Sequence, residues 1–130
     1  MRAAVRTADG VCTVDLDSEE VIGYEPGADW PPAAEVRVEL PRVVAGAASG
    51  STVVAVLDRR PPIAVSHDAG RTWREAGGGL PAGRAVAIAD ENPDLILYAA
   101  RNRLYLSRDG GRFWQALAPE LPEIEGVSFL

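Results

Sequence analysis

The chain has 130 residues, of which 47% are hydrophobic and 25% are charged, and its formal net charge is −6. A chain of this length predicts one domain over 1–130, and the apolar fraction excludes global disorder. The acidic balance argues against partners that are nucleic acids or anionic membranes, which attract basic surfaces.

The N-terminal residues 2–5 predict a first β-strand, and residues 11–14 form a second strand-like run. Cys12 lies in that run. Because it is the only cysteine, it forms no intramolecular disulfide, and we expect it to pack as a small apolar residue. The N-terminus lacks the apolar core of a signal peptide, and no apolar run approaches the ~20 residues of a membrane helix. The sequence therefore predicts a cytoplasmic protein with no membrane partner.

Residues 17–20 form an acidic segment that we expect to connect the second and third strands of a first repeat. Glu25, Gly27 and Trp30 follow at a spacing that two later segments reproduce. Residues 36–40 alternate apolar and polar side chains, which predicts that they lengthen a fourth strand.

The strongest pattern in the chain is a phrase that occurs twice. Its four fixed positions return after 41 residues, so that Ser66, Asp68, Gly70 and Trp73 become Ser107, Asp109, Gly111 and Trp114. Glu25, Gly27 and Trp30 occupy the Asp, Gly and Trp positions of an earlier, decayed copy. A fixed period of this size indicates a repeat architecture.

Leu-Pro pairs at 40–41, 80–81 and 121–122 recur at nearly the same interval. Together the two markers predict three repeats, at about 2–41, 42–82 and 83–122, and an extra strand at 124–130. Each repeat is expected to contain four short strands separated by turn residues. In the third repeat these strands are predicted at about 84–89, 95–100, 103–107 and 113–117.

The doubled phrase fits the pattern Ser-x-Asp-x-Gly-x-x-Trp and so resembles the Asp-box, or BNR, repeat of sialidase-like β-propellers. The resemblance implies an all-β fold of three four-stranded antiparallel propeller-type blades plus one extra C-terminal strand, forming part of a β-propeller. The box is expected to be a hairpin between the third and fourth strands. In it the Asp accepts backbone hydrogen bonds, the Gly adopts a positive φ, and the Trp is buried between blades. All these roles are structural.

The sequence contains no recognisable catalytic set. The resemblance to sialidases implies an arginine cluster, a Tyr–Glu pair and an Asp acid/base, but no segment aligns with them beyond the box itself. His67 is the only histidine and is expected to be an exposed turn residue. We therefore expect no catalytic residue, no metal and no cofactor, and we favour a protein that is not an enzyme.

Three blades do not close a propeller, which has about four to eight. Two chains supply six, so a homodimeric ring is expected, with strand 124–130 at the seam against the partner's first blade. The alternatives are that the chain belongs to a longer propeller, or that another protein completes the ring.

Two turns between second and third strands are basic and contain Arg59, Arg60, Arg101 and Arg103. These arginines are candidates for a surface that binds a ligand or a protein partner, or that meets the acidic turn at a dimer seam. The favoured function is an interaction or scaffold module that binds a protein. The alternative is a carbohydrate-binding or glycoside-hydrolase-like protein whose site forms only in the assembled ring.

Overall fold

The computed structural model describes residues 1–28 and 36–130, and in these residues the chain is all-β. The strands are β1 Arg2–Thr7, β2 Gly10–Asp15, β3 Glu20–Pro26, β4 Val43–Ser49, β5 Thr52–Leu57, β6 Ile63–Ser66, β7 Arg74–Ala76, β8 Gly83–Ile88, β9 Ile96–Ala100, β10 Leu104–Ser107, β11 Gln115–Ala116 and β12 Ile124–Phe129. Within the described residues no helix is long and apolar enough to span a membrane.

The strands form three antiparallel sheets of four strands each, which confirms the predicted all-β fold. The first sheet has the order β12-β1-β2-β3, the second β4-β5-β6-β7, and the third β8-β9-β10-β11. In the second and third sheets the spatial order follows the chain, because each strand is joined to its neighbour by a short turn. The four strands predicted in the third repeat correspond to β8–β11, although β11 is shorter than expected.

The C-terminal strand occupies a different place from the one that the sequence predicts. β12 is not an extra strand, because it pairs with β1 and completes the first sheet, with Ala3 opposite Phe129 and Val5 opposite Val127. It takes the edge position that β4 and β8 hold in the other sheets. Consequently β1 corresponds to a second strand rather than to a first strand, since it has a neighbour on each side.

Residues 36–40 do not extend a strand. Instead, Val38 and Leu40 pack against Ala55, Leu57 and Ala64 on one face of the second sheet. The alternation of apolar and polar residues at 36–40 therefore arises because one side of this segment lies on the sheet. It does not arise from pairing of the segment with a strand.

The sheets pack face to face in the spatial order second, third, first. One apolar cluster lies between the third and first sheets and includes Cys12, Leu97 and Ile124, so Cys12 packs as expected. Another lies between the second and third sheets and includes Ile63 and Tyr98. Full burial of side chains of this size contributes about 1.5–3 kcal/mol each, so these two clusters fix the arc of sheets.

Candidate partner-binding surface

Residues 66–73 connect β6 to β7, the third and fourth strands of the second sheet. Ser66 Oγ donates to Asp68 Oδ1 at 2.7 Å and accepts from the Gly70 N–H at 2.8 Å. Asp68 Oδ1 also accepts from the N–H groups of Arg71 and Thr72, at 3.1 and 2.8 Å. The side chains of Ser66 and Asp68 therefore satisfy the backbone donors of this tight turn.

Residues 107–114 build the same turn between β10 and β11. Ser107 Oγ donates to Asp109 Oδ1 at 2.9 Å and accepts from the Gly111 N–H at 2.8 Å. Asp109 Oδ1 accepts from the N–H groups at 112 and 113, at 3.1 and 3.0 Å. One contact is particular to the first turn, where the Thr72 hydroxyl donates to Asp68 Oδ2 at 2.6 Å.

These hydrogen bonds favour the ionised carboxylates. The Thr72 hydroxyl and N–H, with Ser66, hold the pKa of Asp68 well below its usual value. The Phe113 N–H, with smaller contributions from Ser107, lowers the pKa of Asp109 in the same direction. Both aspartates thus serve the backbone of their own turn.

The two tryptophans of the turns have different surroundings. Trp114 packs on the cluster shared by the second and third sheets, with its ring centroid 5.9 Å from that of Tyr98. Trp73 packs instead on Ala55, Leu57 and Ala64, on the opposite face of the second sheet. Among the described strands the second sheet contacts only the third sheet, so Trp73 lies on a face that no other sheet covers.

The decayed copy expected at 23–30 does not form the corresponding turn. Glu25 lies in β3 and Gly27 just after it, at the end of the fourth strand of the first sheet. The Gly27 N–H donates to the Asp9 carbonyl at 2.8 Å, which ties this end to the β1–β2 turn. Trp30 is outside the described residues. The match of Glu25 and Gly27 to the later copies is therefore one of spacing and not of structural position.

The hairpin that does correspond to the repeated turns in the first sheet is the one between β2 and β3, which contains the acidic segment 17–20. The sequence predicted this segment between the second and third strands of its repeat. It lies between the third and fourth strands because β12 is the first strand of that sheet. Asp15 Oδ1 accepts from the N–H groups of Asp17 and Ser18, both at 2.9 Å, so a different carboxylate closes this turn.

Sequence reasoning missed the role of Glu19 in joining two sheets. Glu19 Oε1 accepts from the Ala118 N–H at 2.8 Å, and its Oε2 accepts from Gln115 Nε2 at 3.1 Å. A further contact, of 3.6 Å, joins Arg108 to Asp17. The acidic turn of the first sheet therefore pairs with the third sheet of the same chain. No local pattern signals this contact, because the partners are almost a hundred residues apart.

The four candidate arginines lie in equivalent turns of neighbouring sheets. Arg59 and Arg60 follow β5, and Arg101 and Arg103 follow β9; each is the turn from the second to the third strand of its sheet. The two turns thus lie at the same end of the second and third sheets, opposite the hairpins at 66–73 and 107–114.

Carboxylates accompany three of these arginines. Arg59 lies 3.4 Å from Glu75, and Arg103 lies 3.5 Å from Glu120. Arg101 lies 3.9 Å from Glu123, which also pairs with Arg84 at 3.0 Å. Arg60 is exposed and has no ion pair among the described residues. The surface therefore contains both long, partly exposed ion pairs and one guanidinium, that of Arg60, without an ion pair among the described residues.

Shallow cavities lie elsewhere on the described part of the chain. One of about 220 Å³ lies beside Phe113 and Trp114, and one of about 250 Å³ lies between residues 37–39 and Trp73. Another, of about 360 Å³, is lined by Asp90, Glu91, Phe129 and Leu130. Within 1–28 and 36–130, no three His, Cys, Asp or Glu side chains converge as metal ligands.

No protein-family model and no curated protein matches the sequence. Solved structures do match. YCF48 from Cyanidioschyzon merolae is 21% identical with a TM-score of 0.52, over 92% of this chain and 34% of that chain. A structure of YCF48 bound to D1 peptide is 18% identical with a TM-score of 0.52, over 95% of this chain and 38% of that chain.

The fold is that of a partial β-propeller. The matched YCF48 structures are β-propellers, and the three sheets of this chain are therefore blades. A GH74 enzyme from Niastella koreensis is also similar, at 18% identity and a TM-score of 0.47, over 88% of this chain and 17% of that chain. The chain spans about a third of the length of the YCF48 structures it matches.

Proposed function

We propose that this chain is an Asp-box propeller unit that closes a six-bladed ring as a homodimer and binds a protein partner without catalysing a reaction. The observation that carries the proposal is the open arc. The second and first blades each contact the third blade and, among the described residues, do not contact each other. Two such arcs supply six blades, within the range of about four to eight that propellers use.

Assignment to the Asp-box family is supported by the paired turns. In both copies the Ser hydroxyl bridges the Asp carboxylate and a glycine N–H, and the Asp accepts from two further N–H groups. The tryptophan closes each turn against an apolar cluster. The same four residue types thus perform the same backbone-satisfying task twice in one chain.

Binding of a protein segment is supported by the two turns that contain Arg59 and Arg60, and Arg101 and Arg103. The ion pairs of Arg59, Arg101 and Arg103 are 3.4 to 3.9 Å long and join exposed carboxylates to exposed or half-buried guanidinium groups, and surface pairs contribute only about 0–1 kcal/mol each. Carboxylates of a partner can therefore replace the internal ones at little cost, and Arg60 is available from the start. One matched structure is YCF48 with a bound D1 peptide, and we propose an acidic peptide segment as the ligand here.

The experiment that tests this function is a peptide-array titration with acidic and neutral peptides of equal length. The expected result is preferential binding of the acidic peptides, weakened at least tenfold in an Arg60→Glu/Arg101→Glu variant. A matched Arg2→Glu/Arg112→Glu variant, which has the same net charge but alters positions outside these turns, is expected to retain binding. A glycan array is run in parallel. Glycan binding with no peptide binding would contradict the proposal and favour the carbohydrate-binding alternative.

A further inference from the structure

Each connection between blades carries a Leu-Pro pair, and each leucine has a defined location. Leu80 packs on the cluster between the second and third blades, and Leu121 is buried in the cluster between the third and first blades. Leu40 packs with Val38 on Ala55, Leu57 and Ala64, on the face of the second blade that no other described sheet covers. By equivalence, Leu40 marks a cleft between the second blade and a blade that precedes it.

Trp73 marks the same cleft. Its counterpart, Trp114, lies on the face of the third blade that meets the preceding second blade. Trp73 lies on the corresponding face of the second blade, but here the buried residues are only Ala55, Leu57 and Ala64. The clusters between complete blades join residues from two sheets. Val38, Leu40 and Trp73 of the same chain bury these three residues to 0–2% exposure. The Trp73 face therefore differs from the interfaces between blades in that a connecting segment, and not a second sheet, lies on it.

The order of the chain indicates which blade is expected next to this face. The connection 77–82 joins the second blade to the third, and 117–123 joins the third blade to β12; both link sheets that touch. The connection 27–42 runs from β3 of the first blade to β4 of the second, and in the described residues these two sheets have no contact. It is the exception to the rule that a connection enters the adjacent blade.

We propose that two copies of this chain exchange β12, so that the β12 of each copy forms the innermost strand of the first blade of the other. This inference rests on the proposed homodimer and specifies how its ring closes. The β1–β12 pairing is preserved, because every residue pair between the strands forms equally well between chains. All three connections then join adjacent blades.

In the exchanged ring the first blade of a chain precedes its own second blade. The face of its sheet that contains Ala4, Arg6, Val11 and Thr13 then lies against the Trp73 face. Ala4 and Thr13 are register partners on β1 and β2, and their side of the sheet points away from Val5, Cys12 and Val14 in the cluster with the third blade. The exchange therefore gives both end faces of the arc an occupant from within the homodimer.

The test is a disulfide placed across β1 and β12. Ala4 and Ser128 are register partners, and the Cα separation of directly opposed strand residues suits a disulfide. The variant is Ala4→Cys/Ser128→Cys, with Cys12→Ala to remove the native thiol. The control is Ala4→Cys/Thr13→Cys in the same background, because that pair also lies in register but belongs to one N-terminal hairpin under either arrangement.

The variants are oxidised at dilute concentration, their mass is measured by light scattering, and they are run on a denaturing gel without reductant. The exchange predicts a dimer in solution in which most of the Ala4→Cys/Ser128→Cys chain is covalently dimeric, while the control runs as a single chain. A dimer in solution whose disulfide lies within one chain would overturn the exchange and leave the homodimer standing. A single-chain mass in solution would overturn both.

Discussion

At the residue scale, the two repeated turns are the part of the molecule that the sequence predicts best. Their hydrogen bonds join residues within an eight-residue segment, so local spacing contains all the necessary information. The same spacing misplaced Glu25 and Gly27, because a match of two residue types does not fix which strands flank a turn. Residue identity predicts a turn only where its flanking strands are also known.

The first prediction concerns the dependence of stability on pH. Asp68 has a lowered pKa in the folded chain, chiefly through the Thr72 hydroxyl. Its contribution to stability is therefore present above the unfolded pKa of about 3.9 and is lost as the pH falls toward the folded pKa. We expect the thermal midpoint to fall below about pH 4, and to fall less steeply for Asp68→Asn. An unchanged slope in calorimetry at several pH values would contradict this role.

The second prediction compares equivalent positions in the two turns. Ala69 has a φ of 60°, and Gly110 occupies the same position with a φ of 72°. A side chain in this left-handed region costs about 1 kcal/mol. Ala69→Gly is therefore expected to raise the free energy of unfolding by up to about 1 kcal/mol.

The reciprocal change Gly110→Ala is expected to lower that free energy, since its Cβ would also lie 3.3 Å from Asp94 Oδ1. Urea denaturation of both variants checks the pair. Equal and same-signed effects would show that the two turns do not share a backbone conformation.

At the element scale, the position of β12 separates what the sequence predicts from what it does not. The strands of the third blade were predicted to within about two residues because each lies beside its neighbour in the chain. The pairing of β1 with β12 joins opposite ends of the chain, and no local pattern encodes it. The predicted position of the acidic turn was wrong for the same reason, because the numbering of the strands in the first blade depends on the pairing of β12 with β1.

A third prediction follows from the turn between β2 and β3. Glu19 joins the first blade to the third through two hydrogen bonds, and it has a φ of 58°. Glu19→Ala loses both bonds and keeps the unfavourable backbone, so we expect a loss of about 1–2 kcal/mol in the free energy of unfolding. Glu19→Gly is expected to lose less, because glycine tolerates this φ.

The exposed neighbour Glu20 supplies the control. Glu20→Ala removes the same charge from the same turn and is expected to change the free energy of unfolding by less than about 0.5 kcal/mol. Chemical denaturation measures all three variants. A loss at position 20 equal to that at position 19 would mean that net charge, and not the contact between blades, determines the effect.

A fourth prediction concerns the packing of Tyr98 between the second and third blades. The tyrosine is fully buried, its hydroxyl donates to the Pro81 carbonyl, and burial raises its pKa to about 12. A Cβ at Gly83 would collide with its ring. Gly83→Ala is therefore expected to cost about 1–3 kcal/mol through overpacking.

Gly78 is the matched control, because nothing lies within 4 Å of a Cβ built there. Gly78→Ala is expected to be neutral or slightly stabilising, since it restricts the unfolded chain. Thermal denaturation with near-UV circular dichroism of the tyrosine environment compares the two. Similar midpoints for both variants would contradict close packing at Gly83.

At the scale of the whole molecule, the three blades form an arc, and at one end of it the second blade is covered by Val38, Leu40 and Trp73 and by no other described sheet. The sequence predicted the number of blades, because repeat markers count units. The spatial order second, third, first was not predictable, since it depends on the pairing of the chain ends. The positions of Leu40 and Trp73 can be interpreted only at this scale, because the interpretation depends on comparing them with Leu80 and Trp114, which lie between two blades.

The measurement that tests the ring most directly is the molar mass of the purified chain, by light scattering coupled to size exclusion across a hundredfold range of concentration. The account predicts the mass of two chains throughout, because each dimer forms two interfaces between blades and six blades close the ring. The mass of one chain at all concentrations, with folding intact by circular dichroism, would contradict it.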